Sequence, residues 1–183
     1  MRRGFKAEAE ATANRLRSEL GLEVADRLDP DDLARHVGAT VRCADELTDR
    51  SKLEQLEDLQ PGAFSACTLT IGSQHVIIYS PLSSEGRRNS DVCHEVAHIV
   101  LGHEVGEVQQ VGQLMFFTCD PDQEQEANWL AGCLLLPRPL LLAAARRRLA
   151  VADIAVEYGV SEQMAGFRLR ATGVERQLHA RQR

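Results

Sequence analysis

Residues 91–103, which read DVCHEVAHIVLGH, restrict the fold of this chain more than any other stretch. In an α-helix, residues four positions apart lie on one face about one turn from each other, so His94 and His98 can point towards a common centre. Glu95 lies between them in the sequence and next to their face of the helix. Two imidazoles with a neighbouring carboxylate can hold a divalent metal ion and take a proton from a water molecule. The stretch therefore predicts a metal-binding helix with Glu95 placed to act as a base.

The residues around this motif have helical spacing. Apolar residues occur at Val92, Val96, Ile99 and Val100, so Val96 follows Val92 by four positions and precedes Ile99 and Val100 by three and four, which draws an apolar stripe beside the histidines. A serine at 83 or 84 suits the N-cap, and Gly102 suits the C-terminal end. We therefore predict a helix over 84–102. The alternative is a helix whose histidines bind no metal.

A third metal ligand is predicted from a second helix, over 121–136. Asp120 is a typical N-cap with Pro121 at the first helical position, and Pro137 ends the helix. Glu124 lies on a face of small and apolar residues, where a carboxylate needs a partner such as a metal ion. The alternative is that Glu124 binds no metal and is an acidic residue of the first helical turn, favoured there by the helix dipole.

Three neighbouring side chains were weighed for roles at the same metal. His103 would lie about half a turn from His94 if the helix continued, so it is rejected as a ligand and interpreted as a helix-end histidine favoured by the dipole. Glu126 points about 200° away from Glu124 and is the weaker candidate. Asn128, one turn after Glu124, is predicted to accept a hydrogen bond from the free N–H of a ligand histidine.

The period of the apolar pattern changes to two after Pro61-Gly62, which predicts a β-hairpin over 62–80 with its turn at Gly72-Ser73. Thr40 to Cys43 is predicted as an earlier short strand. The second hairpin strand, QHVIIYS, or its partner is predicted to be a sheet edge that takes peptide substrate as an added strand. His75 and Tyr79 would share one face of it, and with Tyr158 they are the candidates to stabilise an oxyanion. The alternative is that QHVIIYS is a buried central strand and binds no substrate.

Composition indicates one globular domain. The 183 residues are 44% hydrophobic and 26% charged. We expect no secretory signal, because the first residues contain no apolar core, and no membrane span, because the most apolar run, 129–145, is interrupted by Pro137, Arg138 and Pro139. The five cysteines form no CxxC pair, so we expect reduced thiols in a cytoplasmic protein.

Charge is distributed unevenly along the chain. From Arg138 onward nine arginines face four acidic residues, whereas the whole chain carries a net charge of −6. The acidic body disfavours general nucleic-acid binding. Residues 149–170 resemble a helix-turn-helix, with Gly159-Val160-Ser161 as the turn. The second helix begins with Glu162 and Gln163 rather than with side chains suited to base contacts, so we predict a packing or docking role and consider direct DNA binding unfavourable.

Four stretches together resemble the ImmA/IrrE family of small zinc metallopeptidases. In chain order they read RRGFKAEAE, HEVAHIVLGH, EQEANWLAGCLLLP and GVSEQMAGFRLRATG. They span nearly the whole chain, and the two central motifs together are far more specific than HExxH alone. The resemblance implies thermolysin-like zinc ligands at His94, His98 and Glu124, with Glu95 as the catalytic base.

The resemblance also implies a fold and a substrate. We expect an α+β fold: a small, mostly helical zincin-like domain over 1–148 with a short β-hairpin, followed by a helix-turn-helix-like pair over 149–183 packed on it. The implied substrate is an Xre-type helix-turn-helix repressor, whose cleavage would relieve repression. Two alternatives stay open: a non-catalytic, metal-binding antirepressor, and a DNA-binding regulator that uses the C-terminal segment.

Overall fold

The computed structural model describes residues 1–103, 108–111, 114–117 and 120–174. It is a mostly helical α+β fold, which confirms the predicted class. The elements of this part of the chain follow in order: α1 (Phe5–Glu19), α2 (Pro30–His36), β1 (Ala39–Cys43), a 3₁₀ turn (Ala44–Glu46), α3 (Arg50–Leu59), β2 (Ala66–Ile71), β3 (Gln74–Tyr79), α4 (Glu85–Leu101), β4 (Val108–Val111), β5 (Leu114–Phe117), α5 (Pro121–Leu135), α6 (Arg138–Arg146), α7 (Val151–Tyr158) and α8 (Glu162–Thr172).

The two helices predicted to carry the metal ligands begin and end within one residue of their predicted bounds. The Ser84 hydroxyl accepts a hydrogen bond from the backbone N–H of Arg87 at the start of α4, and Gly102 closes that helix with φ of 63°. The Asp120 carboxylate accepts from the N–H of Asp122 at the start of α5. Local capping therefore fixes where both helices begin.

Helices α4 and α5 pack against each other through small side chains at the centre of the core. Cys93 and Ala97 of α4 and Ala127 and Ala131 of α5 are completely buried. The Cys93 thiol points at the carbonyl oxygen of Ala131, 3.8 Å away. Small residues let the two backbones approach closely, so the ligand-bearing faces of the helices open onto one site.

The main sheet has three strands in the order β1, β3, β2. Strand β1 pairs parallel with β3, and β2 pairs antiparallel with β3, with Thr68 opposite Ile77 and Thr70 opposite His75. The predicted hairpin is present. The second strand of the hairpin, QHVIIY, is central, and its partner β2 is an edge strand, so of the two hairpin strands predicted as a possible edge it is β2 that lies there. Strands β4 and β5 form a separate two-stranded antiparallel pair that the sequence analysis did not predict.

The C-terminal helices α7 and α8 are joined at Gly159, and the connection between them packs on α4. The amide of Asn89 donates to the carbonyl of Gly159, and the backbone N–H of Ser161 donates to the Ser90 hydroxyl. A Cβ placed on Gly86 would lie 2.4 Å from the carbonyl oxygen of Val160, so the backbones touch there. The end of the predicted segment, 175–183, lies outside the described residues.

Arg168 of α8 joins three helices from inside the core. It is fully buried, its Nε donates to the carbonyl of Leu136, and its Nη2 lies 2.9 Å from the Glu10 carboxylate of α1. A Cβ on Gly132 would lie 2.4 Å from the Arg168 Cδ, so the side chain crosses α5 where that helix has no side chain. Arg168 therefore has a structural role and cannot contact DNA in this fold.

Helices α5 and α6 contain the most apolar stretch of the chain. Within the described ranges, no helix alone has the length and apolar composition needed to cross a membrane. These two helices meet that requirement only when taken together, across a bend of 57° at their junction.

Candidate metal centre

The side chains of His94, His98 and Glu124 converge between α4 and α5. The Nε2 atoms of the two histidines are 3.0 Å apart. The Glu124 carboxylate lies 3.2 Å from the Nε2 of His94 through one oxygen and 3.4 Å from the Nε2 of His98 through the other. All three side chains are partly exposed, so the cluster can be reached from solvent.

The triangle formed by the His94, His98 and Glu124 side chains has dimensions that suit a metal ion. Zinc ligands lie about 2.0–2.1 Å from the ion, so two ligands of a tetrahedral site are roughly 3.3 Å apart. The 3.0 Å between the two Nε2 atoms, and the 3.2 and 3.4 Å from these atoms to the two different oxygens of Glu124, are close to that edge. Two imidazole nitrogens and a carboxylate are also the donor types of a catalytic zinc site that keeps a fourth position open. His94, His98 and Glu124 can therefore bind a metal together.

Burial and hydrogen bonding favour the protonation states that bind a metal at two of the three ligands, a neutral imidazole at His98 and a carboxylate at Glu124. Burial, and then the nearby His94, lower the pKa of His98 to about 4, so its imidazole is neutral at pH 7. The hydrogen bond to His94 lowers the pKa of Glu124. Burial acts to lower the pKa of His94, but its hydrogen bond to Glu124 and the charges of the surrounding carboxylates raise it overall.

Glu95 lies beside the cluster, on the side of the sheet edge. Its carboxylate accepts a 2.6 Å hydrogen bond from the hydroxyl of Thr68 in β2. Burial raises the pKa of Glu95, while the hydrogen bond from Thr68 and the charge of His94 oppose this rise. A buried carboxylate with a raised pKa next to a metal cluster is suited to accept and return a proton.

His103, which is not among the predicted ligands, contacts the cluster, and Glu126 contacts His103. The Nδ1 of His103 is 3.0 Å from the Nδ1 of His98, on the ring side opposite the triangle. Glu126 is paired with the backbone and side chain of Arg2. Burial lowers the pKa of His103, which is the reverse of the protonated, dipole-stabilised histidine that the sequence analysis expected. Sequence reasoning missed the contact because it depends on the backbone reversal at Gly102.

The remaining predicted site residues lie elsewhere. The Asn128 amide donates to the backbone carbonyl of Glu124, 2.8 Å away, and its side chain is exposed rather than directed at a ligand histidine. The Tyr79 ring lies under the guanidinium of Arg88. His75 is 3.1 Å from the Thr70 hydroxyl on the same face as Thr68. Tyr158 is buried in the C-terminal part of the core.

Comparison with protein families identifies the group to which this site belongs. The family profile described as the IrrE N-terminal-like domain, peptidase family M78, matches residues 52–170, more than half of the chain and the whole cluster. The chain belongs to the ImmA/IrrE family. This membership supports a metallopeptidase-type function. No curated protein matched the full sequence.

A solved structure shares the fold of this ImmA/IrrE protein. It is described as a Mycobacterium tuberculosis transcriptional regulator, with a TM-score of 0.55 and 18% sequence identity. The match covers 89% of this chain and 46% of the other, so this chain spans about half the length of that protein. At this identity the likeness concerns the fold alone.

Proposed function

We propose that this ImmA/IrrE protein is a zinc-dependent endopeptidase that cleaves an Xre-type helix-turn-helix repressor. One observation carries the peptidase part of the proposal: a His94, His98 and Glu124 triangle of zinc dimensions stands next to Glu95. The repressor part rests on the family resemblance. The structural neighbour described as a transcriptional regulator is in keeping with a role in gene control.

Glu95 is the proposed proton carrier of the reaction. When bound, zinc supplies Lewis-acid polarisation of the scissile carbonyl and lowers the pKa of the attacking water. Glu95 takes the proton from this water as the new C–O bond forms. It then delivers the proton to the leaving amine as the C–N bond breaks. The Thr68 hydroxyl keeps one oxygen of Glu95 in place during both transfers.

Substrate is proposed to bind along β2. In the described part of the chain, this strand pairs on one side only, so its other edge has free N–H and C=O groups for an added strand. Thr68 connects this strand directly to Glu95, which would bring a bound peptide close to the base. His75 lies on the same sheet face and is the better of the predicted oxyanion candidates, since Arg88 covers the Tyr79 ring.

The substitution Glu95→Gln tests the proposal. The variant should retain zinc and bind a co-expressed Xre-type repressor, but cleavage of that repressor in a co-expression or purified assay should fall by at least ~100-fold. Glu85→Gln, in the first turn of the same helix and away from the cluster, is the matched control and should cleave normally. Intact-mass spectrometry of the repressor would detect the products.

Three results would count against parts of the proposal. Normal cleavage by Glu95→Gln would remove Glu95 from its role. Zinc-loaded wild-type protein that binds the repressor without ever cutting it would favour the non-catalytic antirepressor. Absence of zinc binding would remove the metal centre itself.

A further inference from the structure

A row of side chains runs away from the metal triangle on the far side of His98. The Nδ1 of His98 is 3.0 Å from the Nδ1 of His103, and the Nε2 of His103 is 3.7 Å from an oxygen of Glu126. Glu126 in turn accepts from the backbone N–H of Arg2 at 2.8 Å and from its Nε at 3.1 Å. The side chains of His103 and Glu126 are only 7% and 6% exposed.

The fold brings these groups together from three separate parts of the chain. Gly102, with φ of 63°, reverses the backbone after α4, and the N–H of His103 donates to the carbonyl of His98. The reversal places the His103 ring against His98. Glu124 and Glu126 lie on different faces of α5, so one reaches the triangle and the other reaches His103.

Hydrogen-bond chemistry allows one consistent arrangement of protons along this row. A histidine that gives its Nε2 lone pair to a metal carries its proton on Nδ1. Among the described residues, the acceptor that faces the Nδ1–H of His98 is the Nδ1 of His103, 3.0 Å away. The proton of a neutral His103 is therefore on its Nε2, which faces the Glu126 carboxylate.

We propose that His103 is a positioning residue for the metal ligand His98, and that Glu126 and Arg2 hold His103 in the accepting tautomer. This inference rests on the metal centre in the proposed function. His103 fixes the ring plane of His98 and directs its Nε2 at the triangle. Partners of this kind typically change metal affinity by 10- to 100-fold when they are removed. Glu126 is a buried carboxylate that needs a charged partner, and Arg2 provides one.

The decisive measurement is the zinc dissociation constant, determined by competition with a chromophoric chelator at neutral pH. His103→Phe keeps an aromatic ring but has no acceptor, and it should weaken zinc binding by about 10- to 100-fold. His103→Asn keeps an oxygen acceptor near the position of Nδ1 and should stay within about threefold of the wild type. His36→Phe, on a half-exposed histidine paired with Glu19, is the control and should bind as the wild type does.

A second readout separates positioning from simple packing. In zinc-loaded wild-type protein, two-bond ¹H–¹⁵N NMR spectra should show His98 protonated at Nδ1 and His103 protonated at Nε2. Glu126→Gln keeps the size of the side chain and removes its charge, and zinc binding should weaken about threefold or more. Glu126→Gln also tests the inference if His103→Phe does not fold.

The possible failures are distinguishable. Folded His103→Phe with unchanged zinc affinity overturns the inference, as does a His103 protonated at Nδ1. An equal loss of zinc affinity in His103→Asn and His103→Phe would mean that the His103 ring acts only through packing. Each of these results leaves the proposed peptidase intact if wild-type protein binds zinc and cleaves. Absence of zinc binding by the wild type would overturn both proposals.

Discussion

The hydroxyl of Thr68 donates a hydrogen bond of 2.6 Å to Oε2 of Glu95. This bond connects the free edge of the sheet with the helix that carries both ligand histidines. Burial acts to raise the pKa of Glu95, and the hydrogen bond stabilises the carboxylate form against that effect. The strand that is proposed to bind substrate therefore also controls the charge of the proposed base.

Thr68→Val should move the pH dependence of cleavage. The substitution removes a hydrogen bond to a charged group, worth about 1.5 kcal/mol, so the pKa of Glu95 should rise further. Because Glu95 acts in its ionised form, the acid limb of kcat/KM should shift to higher pH by the same amount. Zinc affinity should be unchanged. A pH series of cleavage rates checks this.

Thr70→Val provides the matched control for that experiment. Thr70 lies two residues along the same strand, and its hydroxyl contacts His75 rather than Glu95. The acid limb should stay in place for this variant. An equal shift in both variants would mean that general loosening of β2, and not the Thr68 bond, determines the pKa of Glu95.

Gly86→Ala should destabilise the protein by about 2 kcal/mol. The added Cβ would lie 2.4 Å from a backbone carbonyl at Val160, which can move only if the α7–α8 connection separates from α4. Gly166→Ala, inside α8, should be neutral or stabilising by up to about 1 kcal/mol, because the Cβ there would meet only the flexible end of Arg170 at 3.2 Å and a Val151 methyl at 3.9 Å. Urea denaturation would measure both. Similar values for the two variants would contradict the close backbone contact.

Arg168→Met should affect stability and not DNA binding. The buried guanidinium pairs with Glu10 and donates to the Leu136 carbonyl, so its loss should cost about 2–3 kcal/mol of unfolding free energy. Arg170→Ala, on the exposed side of α8, should change stability by less than about 0.5 kcal/mol. If instead a well-folded Arg168→Met lost a salt-sensitive affinity for operator DNA, the DNA-binding alternative would return.

Alkaline pH should destabilise the protein partly through Cys133. Burial raises the pKa of this thiol from its ordinary value of 9.0 to about 12, so the folded state keeps the proton over a range where the unfolded state loses it. The stability contributed by the neutral thiol is therefore complete below pH 9 and is lost as pH rises towards 12. Near pH 10 the loss should be about 1.4 kcal/mol.

The comparison of variants isolates this contribution. Cys133→Ala should show a shallower decline of unfolding free energy between pH 9 and 11 than the wild type, whatever its stability at neutral pH. Cys43→Ala, at a half-buried thiol, is the control and should keep the wild-type slope more closely. Parallel curves for Cys133→Ala and the wild type would contradict the assignment.

Local features of the sequence were sufficient to predict the central part of the site. The i, i+4 spacing of His94 and His98, the caps at Ser84 and Asp120 and the face of Glu124 are all properties of single helices. They need no knowledge of distant contacts. The structure brings the three predicted ligands together because α4 and α5 pack through small buried residues.

Features that depend on distant pairing could not be predicted in this way. Strand β3 is central because β1, about 35 residues earlier in the chain, pairs with it in parallel, and alternation within the hairpin carries no information about that third strand. The interior position of Arg168 depends on the gap above Gly132 on another helix. The contact of His103 with His98 depends on the backbone reversal at Gly102.

If substrate binds along the open side of β2 as proposed, that edge restricts what can be cut. A chain that joins a sheet edge must be extended over several residues, because helical backbone has already used its N–H and C=O groups. A folded target would therefore have to release a stretch of its own structure before hydrolysis. On this basis the timing of the reaction is set by how often the target unwinds locally as well as by the state of the peptidase.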